Sequence, residues 1–151
     1  MVGILLITHD QLGEALIQCA SHVLGRRPDA LAALPVAANQ CPSDLVDAAR
    51  SLIHEIDDGD GVLILTDIFG ASPANLACRL LAPGHVEAVA GVNVPMLVRA
   101  LSYRDRGMDM LLKRVVGGGC EGVFQIEADP VRGPQVAHSA ANEGLPALKP
   151  H

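Results

Sequence analysis

The sequence predicts an α/β domain in which a mostly parallel sheet carries helices on both faces. Two runs, Val2–Thr8 and Gly61–Thr66, are almost entirely apolar, a pattern typical of strands buried on both sides. Segments with helical periodicity alternate with such runs, which favours parallel strands joined by crossover helices. Half of the residues are hydrophobic, but there are only two Phe, one Tyr and no Trp. The core must therefore be built from Ala, Val, Leu and Ile.

The first half of the chain predicts two strands, each followed by a helix. After the strand Val2–Thr8, Asp10 is expected to cap a helix that ends at Gly25. Ala30–Ala37 is a second, weaker strand, and Ser43 is a good N-cap for the next helix. The apolar stripe expected on the first helix consists of Leu12, Leu16, Cys19, Ala20 and Val23.

The middle of the chain repeats this pattern. Gly61–Thr66 is the third strand, and the turn Asp67–Pro73 follows it with the sequence DIFGASP. The turn ends in Ser72 and Pro73, which suit the N-cap and the first position of a new helix. Val86–Val92 is a fourth strand.

The last part of the domain predicts two more helices and a final strand. Pro95 opens a helix through about Ser102, and a second helix covers about Asp109–Val116. Gly117–Gly119 is expected to break that helix. Gly122–Ala128 alternates enough to form a last strand, on an edge of the sheet.

The length of 151 residues suits one domain with a proper core. We assign residues 1–128 to this domain. Residues 129–151 are polar, rich in Ala and interrupted by prolines, so we expect a flexible tail.

Composition argues against several classes of function. The formal charge is −6 and no basic cluster stands out, so nucleic acid is not an expected partner. The first apolar run is too short for a signal peptide or a membrane span, and we expect a cytoplasmic protein without direct membrane insertion. No cofactor is expected, and Asp57, Asp58 and Asp60 look like a solvated helix end and not a metal site. Four scattered cysteines without a CxxC pair predict buried thiols and no zinc site; they are Cys19, Cys41, Cys78 and Cys120.

Two polar residues follow the most apolar strands. His9 comes after the first and Asp67 after the third. Ligand sites of open α/β sheets lie at the carboxyl ends of strands, so neighbouring strands would bring these two residues together. A carboxylate that accepts a hydrogen bond from one imidazole nitrogen leaves the other nitrogen free as a nucleophile. By position alone, His9 is more typical of a surface loop residue, and Asp67 taken alone is more typical of a turn cap.

The turn Gly70–Ser72 adds a third component to this candidate site. It leads into a helix N-terminus, which favours an anion. Thr8, Thr66 and Ser72 can add hydroxyl donors. A histidine, an orienting carboxylate and an anion cradle together suggest phosphoryl transfer through a phosphohistidine, with no metal required.

Three segments resemble a known family. They are Ile7–His9, Leu65–Asn75 (LTDIFGASPAN) and Ala90–Leu97 (AGVNVPML), in the same order and spacing over roughly residues 1–128. The chain is similar to the IIA domain of the mannose-type branch of the bacterial phosphoenolpyruvate-dependent sugar phosphotransferase system. The resemblance implies a parallel sheet in the order 2-1-3-4, with the first and third strands side by side.

The resemblance also implies roles and partners. The histidine at the position of His9 would accept a phosphoryl group from the phosphocarrier protein HPr and pass it to a IIB protein. Asp67 would orient that histidine, and Gly70–Ser72 would lie at the active site. Family members are homodimers that exchange a C-terminal strand. Gly122–Ala128 would be that strand here, with Gly117–Gly119 as its hinge.

Two features depart from the family pattern. Many members have glycine directly after the active histidine, where this chain has Asp10, and that carboxylate would repel phosphate unless it turns away to cap its helix. Many sugar-transporting members continue into a IIB domain, whereas this sequence ends in the tail. A separate phosphoryl acceptor is therefore expected. Alternatively, His9 phosphorylation would regulate binding to a partner protein without sugar transport. A hydrolase or kinase is weakly supported, because no Walker loop or GxSxG elbow is present.

Overall fold

The computed structural model describes residues 1–129 and 133–136. Strands and helices alternate as the sequence predicts, with two helices after the fourth strand. The strands are β1 (Gly3–His9), β2 (Leu31–Val36), β3 (Val62–Thr66), β4 (Val86–Ala90), β5 (Ile126–Asp129) and β6 (Gly133–Val136). The helices are α1 (Leu12–Leu24), α2 (Val46–Ile56), α3 (Ser72–Leu80), α4 (Val94–Tyr103) and α5 (Met108–Glu121), with a 3₁₀ turn at Pro42–Leu45 before α2. None of the helices in these ranges is both long enough and apolar enough to cross a membrane.

The central sheet has four parallel strands in the order β2-β1-β3-β4. This confirms the predicted fold class and strand order. Strands β1 and β3 are neighbours, with Ile7 opposite Thr66. The carboxyl ends of the two most apolar strands therefore finish side by side.

Both faces of the sheet are covered by helices. Alternate residues of β1 point to opposite faces, so Leu6 packs with α1, α4 and α5, whereas Ile7 packs with α2 and α3. Every side chain of β1 from Ile4 to Thr8 is buried. Burial on both faces explains why the strand lacks the polar alternation of a half-exposed strand.

Two helices begin later than the sequence predicts. Asp10 does not cap α1: Gln11 occupies the N-cap position, and Asp10 itself has a left-handed φ of 46°. The hydroxyl oxygen of Thr8 accepts the Gly13 N–H at 2.7 Å and supplies the side-chain partner that Asp10 was expected to give. Ser43 lies inside the 3₁₀ turn, and α2 starts after it.

The glycine run Gly117–Gly119 does not end a helix and is no hinge, because α5 continues through it to Glu121. Tertiary packing overrides the low helix propensity of glycine here. A Cβ on Gly118 would lie 2.7 Å from Arg99 Cβ, and one on Gly119 would lie 2.6 Å from Met96 Cε. The missing side chains let α5 pack directly on α4.

The C-terminal strand is shorter than predicted and pairs differently. Strand β5 covers Ile126–Asp129 and forms an antiparallel hairpin with β6. It is not an edge strand of the main sheet in this chain. Residues 133–136 belong to the predicted tail but form β6, so that part of the tail is regular. Asp129, the first residue of the predicted tail, is the last residue of β5, and the other tail residues lie outside the described ranges.

The cysteine prediction is wrong, because all four thiols are exposed. Cys19 lies on α1, where the core contacts come from Leu16, Ile17 and Ala20. The stripe on that helix is therefore narrower than the sequence pattern indicates. Leu12, the first residue of the expected stripe, is also exposed.

The acidic residues that follow α2 form hydrogen bonds and ion pairs at the amino edge of the sheet, opposite the carboxyl ends of the strands. Asp57 accepts the N–H groups of Gly59 and Gly61, and its other oxygen lies 2.6 Å from His85 Nε2. Asp58 and Asp60 pair with the terminal ammonium of Met1. Among the described residues, no group of three or more His, Cys, Asp or Glu side chains is placed to hold a metal ion.

The α4–α5 contact can be tested with two adjacent glycines. We expect Gly118→Ala to lower the free energy of unfolding by about 1–3 kcal/mol, because the added methyl group collides with the base of Arg99. Gly117→Ala is the matched control, since its Cβ would meet only Glu121 Oε1, at 3.7 Å. That variant should gain up to ~1 kcal/mol from helix propensity. Urea unfolding of both variants checks this, and equal effects would contradict it.

Candidate active site

His9 and Asp67 meet at the carboxyl edge of the sheet. His9 Nδ1 lies 2.8 Å from Asp67 Oδ2, and the same oxygen accepts the backbone N–H of His9 at 2.9 Å. The other carboxylate oxygen accepts the N–H of Ile68 at 2.8 Å. These bonds fix the carboxylate relative to both the backbone and the ring of the histidine. The sequence predicted the ring contact, but no pattern in it indicated the additional backbone contact.

The electrostatics of Asp67 favour the ionised form. Burial by itself would raise the pKa of this carboxyl, but the His9 N–H, the His9 ring and the Ile68 N–H together hold its pKa below the ordinary value of 3.8. An ionised carboxylate only accepts hydrogen bonds, so Nδ1 of His9 must carry the proton. In the neutral form of this ring, Nε2 then has the lone pair, and the imidazole side chain is 43% exposed.

The predicted anion cradle, Gly70–Ser72, begins three residues after Asp67 in the chain. Gly70 has a φ of 89°, and α3 starts at Ser72 without a side-chain cap. Pro73 has no N–H, so the first turn of α3 offers the N–H groups of Ser72 and Ala74 to an anion. Contact of Gly70, Ala71 or Ser72 with a phosphoryl group stays a prediction.

The two threonines face opposite sides of the sheet. Thr8 lies on the α1 side, where its hydroxyl oxygen holds the Gly13 N–H. Thr66 belongs to the other face, because its neighbour Leu65 packs with α1, α4 and α5. Of the two, only Thr66 is therefore on the side of the sheet where His9 and α3 lie. The role of either hydroxyl toward phosphate stays a prediction.

The backbone conformation of Asp10 accounts for an aspartate at the position where the family pattern has glycine. Its φ of 46° lies in the region that glycine adopts freely, and aspartate is among the side chains that tolerate it best. Its N–H donates to Val36 O at 3.1 Å. With Glu14 it lines a small pocket of about 100 Å³ on the α1 side. Two carboxylates disfavour an anion there, so a phosphoryl group is expected to approach from the α3 side.

Comparison with known proteins identifies the class to which this fold and site belong. The profile of the EIIA-man family, described as PTS system fructose IIA component, matches residues 3–116. The chain belongs to this family of phosphotransferase-system IIA components. Its fold is shared with the mannose/sorbose specific IIA subunit from Enterococcus faecalis, with a TM-score of 0.75 at 20% identity over 85% of this chain and 96% of that one.

Curated relatives agree with this assignment. The chain is 33% identical over 143 residues to the PTS system mannose-specific EIIAB component of Escherichia coli K12, covering 93% of this chain but 44% of the relative. It therefore spans less than half of that longer protein. It is also 28% identical to the PTS system fructose-specific EIIA component of Bacillus subtilis, over 70% of this chain and 72% of the relative.

The depressed pKa of Asp67 predicts a dependence of stability on pH. Since the folded-state pKa lies below the unfolded value of 3.8, the ionised group stabilises the fold at higher pH. We expect Asp67→Asn to be less stable than the wild type at pH 5. The difference should shrink as pH falls through the folded-state pKa. Thermal melts of both proteins from pH 5 to pH 2 measure it. A difference that stays constant over this range would contradict the assignment.

Proposed function

We propose that this protein is a phosphocarrier that accepts a phosphoryl group from phospho-HPr on His9 and passes it to a separate IIB protein for sugar uptake. The observation that carries the proposal is the 2.8 Å contact between His9 Nδ1 and Asp67, which leaves Nε2 free to attack. Membership of the IIA family supports the phosphotransferase class. The proposal places the protein in the cytoplasm.

The transfer needs little chemistry beyond alignment. The Nε2 lone pair attacks phosphorus, the N–P bond of the donor histidine breaks, and its electron pair returns to the donor ring. No proton has to move, because Nδ1 keeps its hydrogen bond to Asp67. The positive charge that develops on the ring of His9 is offset by the Asp67 carboxylate. Transfer between two histidines is nearly balanced in energy, so positioning is the main requirement.

The surroundings of His9 suit a protein donor. Ile68 and Phe69 follow Asp67 directly, and Phe69 is 81% exposed although it is one of only two phenylalanines in the chain. An exposed aromatic residue beside a reactive group is typical of an interaction surface. Together with the first turn of α3, it can hold a partner protein while the phosphoryl group is bound.

Phosphorylation of His9 can be tested by intact-mass spectrometry. After incubation with phosphoenolpyruvate, enzyme I and HPr, the wild type should gain one acid-labile phosphoryl group, and His9→Ala should gain none. His54→Ala is the matched control, because this histidine is exposed on α2 and should not affect labelling.

Labelling of His9→Ala would place the acceptor elsewhere. An unlabelled wild type with active HPr would overturn the phosphocarrier function. Adding a IIB protein to the labelled chain then tests the second transfer. Retention of the label would favour a regulatory module whose phosphorylation state controls partner binding.

The protein is further proposed to act as a homodimer. In the described part of the chain, the β5–β6 hairpin pairs only with itself, and Val123 and Ile126 are 75% and 68% exposed. An apolar groove of about 550 Å³ lies nearby between β4 and α5, with Val89, Met96 and Val116 in its lining. An exposed hairpin and an open apolar groove fit an exchange of arms between two copies.

The dimer predicts a concentration-dependent mass in solution. Ile126→Asp should shift the protein toward the monomer by placing a charge on the exchanged arm, as measured by light scattering after size exclusion. Met110→Asp serves as the control, because this exposed side chain lies on α5 outside the residues lining the groove. A monomeric wild type at all concentrations would contradict the dimer.

A further inference from the structure

Asp67, whose carboxylate contacts His9, is bound through its backbone by a loop that follows the neighbouring strand. The loop Gly91–Asn93 connects β4 to α4 and crosses the carboxyl end of β3. Gly91 N–H lies 3.0 Å from both Thr66 O and Asp67 O, and Val92 N–H donates to Thr66 O at 3.0 Å. The backbone of Asp67 is therefore held by this loop, while its side chain holds His9.

Asn93 ties the other end of this loop to two helices. Its Oδ1 accepts the N–H of Met96 at 2.9 Å and so caps α4. Its Nδ2 donates to Gly119 O at 3.1 Å, across to α5. One side chain thus joins the start of one helix to the end of another.

The Gly119 carbonyl is available because α5 is ending. A further helical turn would direct the Val123 N–H to Gly119 O, but that N–H bonds Cys120 O instead, at 3.3 Å. The Asn93 amide therefore satisfies a carbonyl that the helix leaves without a partner from its own ladder. The close packing of Gly118 and Gly119 on α4 brings that carbonyl within reach.

We propose that Asn93 is a positioning residue for the phosphoryl transfer, acting through the Gly91–Asn93 loop on Asp67 and through Asp67 on the ring of His9. The inference rests on the proposed phosphocarrier function. Loss of the hydrogen bond from the Asn93 amide to Gly119 O leaves the loop attached at one end only. The Asp67 carboxylate is then less well fixed. The ring of His9 then loses part of its preference for carrying the proton on Nδ1.

The test separates the two bonds of Asn93. Asn93→Ser keeps a helix cap but is too short to reach Gly119, and Asn93→Asp keeps the cap while removing the donor. Ser102→Ala is the matched control, because it removes a 2.8 Å hydrogen bond to Val98 O near the other end of α4. All variants are made in the full chain and checked for folding by circular dichroism.

Two measurements are made on each variant. The first is the kinetics of phosphorylation by phospho-HPr, where Asn93→Ser should lower kcat about tenfold and change KM less than about twofold. The second is the ring tautomer of His9, read from long-range ¹H–¹⁵N correlations. The signal of the Nδ1–H tautomer should weaken in Asn93→Ser and stay unchanged in Ser102→Ala.

An unchanged tautomer and kcat in Asn93→Ser would overturn the proposal, as would an effect confined to KM. If Asn93→Ser does not fold, Asn93→Asp decides by the same criteria. If the wild type takes up no phosphoryl group, the phosphocarrier function fails, and the tautomer measurement still decides whether Asn93 positions His9.

Discussion

The parallel pairing of β1 with β3 is the constraint on which the site depends. Because the two strands run in the same direction with Ile7 opposite Thr66, the residues that follow them emerge at the same height of the sheet. One carboxylate oxygen of Asp67 can then accept hydrogen bonds from both the backbone N–H and the ring Nδ1 of His9. An antiparallel partner would place these residues at opposite edges, and a different strand order would separate them along the same edge.

A second histidine–carboxylate pair lies at the opposite edge of the sheet, in different surroundings. His85 Nε2 lies 2.6 Å from Asp57 Oδ2, a distance similar to the 2.8 Å between His9 and Asp67. Asp57, however, closes its own loop by accepting two backbone N–H groups. The pair at the carboxyl edge is instead followed by the exposed loop and the first turn of α3. The two pairs therefore share the contact between imidazole and carboxylate and differ in their place in the sheet; in open α/β sheets, ligand sites lie at the carboxyl ends of the strands.

Two glycines of α5 determine how closely this helix packs on α4, near the loop that contacts Asp67. Without side chains at Gly118 and Gly119, α5 lies against Arg99 and Met96 of α4, and Arg99 is only 2% exposed. The guanidinium is paired with Glu121 at 3.2 Å, which keeps a buried charge partnered at the end of the helix. The same close approach lets Asn93 reach Gly119. A sequence feature that indicates a break in isolation thus becomes a contact surface in the folded chain.

The sequence by itself determined the parallel sheet, the family and the pairing of His9 with Asp67. Continuous apolar runs indicate strands buried on both faces, and polar residues at their ends mark a binding edge. Tertiary structure decided what local patterns cannot contain. It made the Thr8 hydroxyl, and not Asp10, the side-chain partner of the first turn of α1, and it continued α5 through three glycines. It also left all four cysteines exposed and paired β5 with β6. The physical reason is that caps, helix continuation and burial depend on neighbours distant in the chain, whereas periodicity records only which face of an element is apolar.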